Sequence, residues 1–369
     1  MSDRPDRPVL VLGGPRSEKV RQPLAAVGSP LLFYRWNGGT GFLATVAALL
    51  RRRPSAVLVD GSGYQALAGW LVSRVLRCGF IVRLRGDIWT ESGDALRRLR
   101  GFEYLAKRVK FELGCYAIRR AAGIITVSHY LKDVVARACP QPPERIAHVP
   151  TPVDPRYVTN GAAPDAPPAA LGLEPDQRMI LTVTTFDHLQ KAGALEIYLP
   201  YVREFLRRHD DVVYVVAGGG LHLEALRQRM AAGPHGDRIR VLGFVRDVQS
   251  LYRRALFLLH LSFLDALPSV VQEAKACGLP VIVNDAAGLP ELVTHGRDGY
   301  IVRGRDGAAL IAHMESLYAD PELRRDLGRN ARQDVLDRFQ VSTIGAALRD
   351  AIGAILDGHD TQGVKPCRT

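Results

Sequence analysis

The chain has 369 residues, nearly half of them apolar or aromatic, too long for one ordinary domain and comfortable for two. No run approaches the roughly 20 uninterrupted apolar residues of a membrane span, the opening Met-Ser-Asp-Arg-Pro-Asp-Arg-Pro lacks an apolar export signal, and the five cysteines (Cys78, Cys115, Cys139, Cys277, Cys367) lack paired spacing, so a cytoplasmic protein without a disulfide or zinc framework is expected. The net charge of +11 sits in one half, because residues 1–155 hold 24 Lys/Arg against 12 Asp/Glu and residues 156–369 hold 25 against 26, so an anionic partner is expected on the first half only.

In chain order, residues 9–12 read as a first strand ending in Gly13-Gly14-Pro15. Residues 56–60, 80–84 and 123–127 read as further strands, and 42–50, 64–76, 95–120 and 128–138 as helices. A Pro/Ala-rich stretch at 159–172 has the composition of an exposed linker. A second unit opens with a strand at 179–183, followed by strands at 212–217, 239–242, 255–261 and 281–284 with helical stretches between them. A last helix at about 341–357 precedes a polar tail. This alternation predicts an α/β fold with parallel sheets wrapped by helices.

The most informative segment runs from Asp265 to Asn284, followed by Gly288-Leu-Pro-Glu291. Pro268 suits the first turn of a helix and Gly278 the position just past its end. Val270, Val271, Ala274 and Cys277 form an apolar stripe at helical spacing, Gln272 and Lys275 point the other way, and Glu273 sits at the stripe's edge. Asp265 lies just before this helix, whose free N–H groups attract phosphate-like anions.

The segment resembles the signature of the retaining family-4 glycosyltransferases of the GT-B fold, E-G-F-P-x-x-x-x-E-A-x-A-x-G-x-P-V-I. Pro268, Glu273, Ala274, Ala276, Gly278, Pro280, Val281 and Ile282 match it, while Asp265 replaces the first Glu and Ala266-Leu267 replace Gly-Phe. The resemblance implies two Rossmann-like domains facing a central cleft: an acceptor-side domain at 1–155 and a nucleotide-sugar-binding domain at 156–340. It further implies a helix at 341–358 that crosses back to the first domain, then a flexible tail at 359–369. By the same resemblance Glu273 holds the donor ribose and Asp265 contacts the transferred sugar. The diphosphate rests on the helix tip at Leu267, Pro268, Ser269 and Val270, with Glu291 close by.

Other positions carry over less directly. Gly218-Gly219-Gly220 matches the family's glycine turn, which either admits a ligand or simply joins a strand to a helix. Gly243-Phe-Val-Arg246-Asp247 matches a G-x-V-x-D stretch near the base, although Arg246 reads equally as a surface arginine. Lys191 falls where the family's diphosphate-clamping lysine lies, but Thr185 occupies the partner arginine's position and Ala192 the following glycine's. His188 is a ligand contact or a passive loop residue. Arg85-Gly86-Asp87 stands where the family has a sugar-contacting histidine; these side chains take its place or pair with each other to fix the loop. Gly13 and Gly14 match a cleft-side glycine turn, and Ser128 a strand-end serine that a helix cap also explains.

Residues 95–120 hold eight basic residues among leucines and aromatics, fitting either a membrane-interface helix or a core helix with a basic solvent face. The implied function is retaining transfer from a UDP- or GDP-linked sugar to a glycan or a lipid-phosphate-linked acceptor at the inner membrane face. Asp265, Asp87 and Lys191 would carry the chemistry without metal or cofactor. A sugar-nucleotide epimerase and a non-catalytic binding subunit are the alternatives, and no motif points to nucleic acid.

Overall fold

The computed structural model describes residues 7–14, 17–35, 52–159, 174 and 176–361. The helix expected at 42–50, nearly all of the expected linker at 159–172, Cys367 and the end of the tail lie outside the described residues. The chain divides into two compact units, Met1–Pro152 with Val341–Thr369, and Val153–Gln340.

The first unit is built on six parallel strands in the order β2-β1-β3-β4-β5-β6. These are β1 (Val9–Gly13), β2 (Leu31–Arg35), β3 (Ala56–Asp60), β4 (Gly79–Leu84), β5 (Gly123–Thr126) and β6 (Ile146–His148). Its helices are α1 (Glu18–Ala26), α2 (Tyr64–Leu76), α3 (Ile88–Arg98), α4 (Gly101–Ile118) and α5 (His129–Ala138). Parallel strands demand crossover helices and bury both faces, which is why β3 is an unbroken buried run of Ala-Val-Leu-Val-Asp. The single helix expected over 95–120 is two: the chain leaves helical geometry at Leu99 and Arg100 and re-enters at Gly101, whose φ is +56°. β2, β6 and α1 escape the sequence reading because they are short and only partly buried.

The second unit repeats the plan with the order β12-β11-β10-β7-β8-β9. Its strands are β7 (Arg178–Val183), β8 (Val212–Ala217), β9 (Ile239–Gly243), β10 (Ala255–His260), β11 (Val281–Asn284) and β12 (Gly299–Val302). Its helices are α6 (Pro155–Val158), α7 (Leu189–Arg208), α8 (Leu223–Ala231), α9 (Gln249–Arg254), α10 (Ser269–Ala276), α11 (Gly307–Ala319) and α12 (Pro321–Arg338). Apolar clusters pack against both faces of this sheet. The strand order reverses between β7 and β10, and ligands of doubly wound sheets bind at the carboxyl ends of strands flanking such a reversal.

After α12 the chain rejoins the first unit as α13 (Val341–Thr361). Ile344, Leu348, Ile352 and Ile355 enter the same apolar cluster as Val20 and Leu24 of α1. Glycines make the fit: a Cβ on Gly345 would stand 2.1 Å from the Pro23 carbonyl, one on Gly79 2.4 Å from Leu356, and one on Gly123 2.6 Å from Ile355. Overfilling such a contact costs about 1–3 kcal/mol. Gly345→Val is therefore expected to lower the unfolding free energy by about that amount, and a urea melt with no loss would refute the close fit.

Candidate functional site

The site forms where β7 and β10 end. After β7 the chain runs through Thr184–His188 into α7, and Lys191 lies in that helix's first turn. A cation at a helix N-terminus is opposed by the dipole. Asp265, which follows β10, offsets this: Lys191 Nζ lies 2.6 Å from Asp265 Oδ1. The other oxygen, Oδ2, lies 3.1 Å from His260 Nε2, and His260 Nδ1 lies 3.2 Å from the Val183 carbonyl. Both ring nitrogens of this buried histidine thus lie against oxygen atoms. Burial alone would raise the Asp265 carboxyl, but the His260 hydrogen bond and the Lys191 charge outweigh it and hold the group well below the usual carboxylate range. Asp265 is ionised.

Backbone contacts fix the loop that carries Asp265. The Gly288 N–H donates to the Asp265 carbonyl at 3.0 Å, and a Cβ on Gly288 would stand 1.6 Å from the Ala266 carbonyl oxygen. No side chain fits at position 288. Asn284, at the end of β11, accepts from the Ser262 N–H at 2.8 Å and donates to the Ser262 carbonyl at 3.1 Å. Glu291, half-buried in the turn Leu289–Leu292, lies just beyond Gly288.

Pro268 is the residue before α10, not a member of its first turn, and no side chain caps this helix. Gly278 takes a φ of +76° just past the helix end, as expected for this stop. Glu273 is half-buried, and its Oε2 accepts from the Tyr252 hydroxyl at 3.3 Å. Tyr157 stands edge-on to Tyr252, with ring centroids 6.0 Å apart. Burial, then the nearby Glu273 charge, pushes both phenols above their ordinary range, so they remain donors near that carboxylate.

Gln272 and Lys275 do not face solvent. Both are fully buried, because α12 packs on the side of α10 that the periodicity left polar. Lys275 Nζ donates to the Leu292 carbonyl at 2.5 Å and to Asp334 at 2.6 Å, and lies 3.3 Å from Asp298. Burial pushes the Asp298 carboxyl up against the pull of Lys275. The network locks α10 to the Glu291 turn and to α12.

The remaining expected positions divide sharply. In the glycine turn after β8, a Cβ on Gly218 would stand 1.7 Å from the Thr184 carbonyl and one on Gly220 2.5 Å from the Phe186 backbone, so these two serve the turn's own packing. Gly219 meets only Phe244, at 3.6 Å. Arg246 and Thr185 are exposed, and Leu267 is half-buried. In the first unit, a Cβ on Gly13 would collide with Ser17, whereas Gly14 faces open space. Arg85 does not pair with Asp87. Its Nε lies 3.3 Å from Asp60, which also accepts from buried Arg83 at 3.0 Å. Asp87 caps α3, with Oδ1 accepting from the Trp89 and Thr90 N–H groups and Oδ2 from the Thr90 hydroxyl at 2.6 Å. Asp87 thus has a buried capping role. Ser128 caps α5, accepting from the Leu131 N–H.

Two described families match this chain: Glycosyltransferase Family 4 over residues 7–157 and Glycosyl transferases group 1 over residues 168–334. Similar proteins include the alpha-D-kanosaminyltransferase of Streptomyces kanamyceticus, 24% identical over 78% of this chain and 74% of that protein. Another is the GDP-mannose-dependent alpha-(1-6)-phosphatidylinositol monomannoside mannosyltransferase of Mycolicibacterium smegmatis, 30% identical over 64% of each chain. Among solved structures, Anabaena Alr3699/HepE in complex with UDP-glucose superposes with a TM-score of 0.68 at 16% identity, covering 94% of this chain and 99% of that one. These neighbours share the GT-B architecture of two Rossmann-like domains.

Removing the charge at Asp265 leaves Lys191 and His260 facing a neutral group. Asp265→Asn is expected to cost about 2–3 kcal/mol of stability at neutral pH. The folded-state carboxyl lies below its unfolded value of about 3.9. The stabilisation is therefore complete above that value and is lost as the pH falls through the folded one. Urea melts across a falling pH series should show wild type and variant converging at the acid end; a constant gap would contradict the assignment.

Proposed function

Since the chain belongs to the family-4 glycosyltransferases, we propose that it transfers a sugar, with retention, from a nucleotide-diphosphate sugar to an acceptor. The observation that carries this reading is the ionised Asp265 paired with Lys191 beside the uncapped start of α10, with Glu273 further along the same helix. A diphosphate at that helix start meets the positive end of the helix dipole. Lys191 reaches the same oxygens and stabilises the charge that grows on the leaving diphosphate, the electrostatic part of catalysis. Glu273, held by Tyr252, receives the ribose hydroxyls. Gly219 and exposed Arg246 border the base, Glu291 stands by the diphosphate, and Asp265 orients the transferred sugar.

The proposed transfer uses no metal. Asp265 is already paired with Lys191 and hydrogen-bonded to His260, and Lys191 with the helix dipole supplies the positive charge that a metal would otherwise bring. Attack comes from the face the diphosphate leaves, and the departing phosphate takes the acceptor proton. Relatives act on GDP-mannose or are solved with UDP-glucose, which supports a UDP- or GDP-linked donor. The first half's positive excess and the phosphatidylinositol-linked acceptor named for one relative support a lipid-phosphate-linked acceptor. Arg85 and open Gly14 mark the acceptor side, and the protein works at the cytoplasmic face of an anionic membrane. No described helix is long and apolar enough to cross a membrane.

Glu273→Ala and Lys191→Ala are each expected to lower kcat/KM at least about tenfold, equivalent to roughly 1.4 kcal/mol of transition-state stabilisation. Unchanged turnover in either variant removes that residue from the mechanism. The donor is identified by thermal shift against a panel of UDP- and GDP-sugars, because stabilisation follows occupancy of the folded state. Proton NMR of the product should show the donor's anomeric configuration; an inverted product would overturn retention.

A further inference from the structure

The far end of α10, opposite the start that the proposed diphosphate occupies, borders a cavity that sugar transfer does not use. Its volume is about 240 Å³, and it is lined by Tyr157, Thr159, Gln249, Arg253, Cys277 and Arg332. All six belong to the second unit. Cys277 directly follows the eight residues of α10, a rise of about 12 Å from the helix start. The cavity and the diphosphate seat are therefore at opposite ends of one helix.

The lining is one-sided in charge. Two guanidinium groups stand with two hydroxyls, an amide and a thiol, and among the described residues no carboxylate lines the cavity. Burial pushes the Cys277 thiol up to about 12, so it brings no negative charge near neutral pH. The charges of Asp247 and Glu273 reach that thiol, but Asp247 accepts from the Gln249 N–H at 3.1 Å and Glu273 from the Tyr252 hydroxyl. Arg332 is oriented by backbone: its Nη1 donates to the Ala276 carbonyl and its Nη2 to the Val158 carbonyl at 2.6 Å. Neutral carbonyls fix the guanidinium without cancelling its charge, and these bonds use two of its five donors. Arg253 lies in the last turn of α9.

Each arginine also complements the negative end of a helix, α9 for Arg253 and α10 for Arg332. Two such ends together supply roughly one negative charge, against two positive ones. The hollow thus keeps a positive excess, and guanidinium forks match phosphate oxygens two at a time. Its volume lies below the roughly 300–1,000 Å³ of drug-sized sites, which suits a small anion and not a whole sugar nucleotide. We propose that this cavity is a second anion site, holding inorganic phosphate or a small phosphomonoester between Arg253 and Arg332. Tyr157 lines it and stands edge-on to Tyr252, the donor to Glu273, so the bound anion lies one aromatic pair from the proposed ribose carboxylate.

The test is isothermal titration calorimetry of the full chain with inorganic phosphate and with glycerol 3-phosphate, at an ionic strength held constant with sodium chloride. The expected result is one saturable site, retained in Lys191→Ala and weakened at least about tenfold in Arg253→Gln. Arg332→Gln should weaken it equally. Because Arg332 also ties α10 to α6, a thermal melt checks that variant's fold, and Arg253→Gln decides if it is loosened. Bound phosphate should slow N-ethylmaleimide modification of Cys277 but not of Cys78, as read by peptide mass spectrometry. Tighter binding of glycerol 3-phosphate than of phosphate assigns the site to phosphomonoesters, and equal or weaker binding assigns it to inorganic phosphate. Binding that disappears in Lys191→Ala places the anion at the diphosphate seat and overturns the proposal. Unchanged affinity in Arg253→Gln overturns it too, as does the absence of saturable binding in the wild type.

Discussion

The second unit turns on one carboxylate held between a lysine and a histidine. Asp265 lies just past one strand flanking the sheet's reversal point, and Lys191 is in the first turn of the helix that follows the other. Neither position is comfortable alone: a lysine at a helix start opposes the dipole, and a carboxylate this sheltered loses hydration. Together with His260 they satisfy one another, and the satisfied arrangement faces an uncapped helix end. The site is thus stable without a ligand yet close to positive potential that a diphosphate can use. The Gly288–Ala266 approach and the Lys275 network fix the loops on which this balance depends.

Much of this was legible in the sequence, for identifiable reasons. The strands at 56–60 and 212–217 and the helix at 64–76 coincide with β3, β8 and α2, because buried parallel strands are continuous apolar runs and that helix begins after a glycine turn. The segment from Asp265 to Gly278 forms the expected helix and glycine stop, with Pro268 just before the first turn instead of inside it. Other features were hidden because they depend on contacts remote in the chain. His260 closes an apolar run in β10 and looks like strand filler; its one signal is that it is polar at a strand's carboxyl end. Lys275 and Gln272 fit a solvent face by period, and only the packing of α12, some sixty residues later, buries them. Asp87 looks chemical because it follows a strand, yet a carboxylate immediately before a helix is also a cap, and the cap is what forms.

The two units divide their labours in composition as well as in shape. The second is nearly neutral. The first holds the whole positive excess. Similar sheets therefore carry differently charged surfaces.

The return of α13 to the first unit also bears on how the protein is made. The second unit is one continuous stretch of chain, whereas the first is interrupted by it and finished only by the last helix. On the ribosome the sheet of β1 to β6 emerges early, but the side of α1 that α13 covers waits until the entire second unit has been synthesised. During that interval Val20 and Leu24 are open to water or to chaperones, so the half synthesised first is the half completed last.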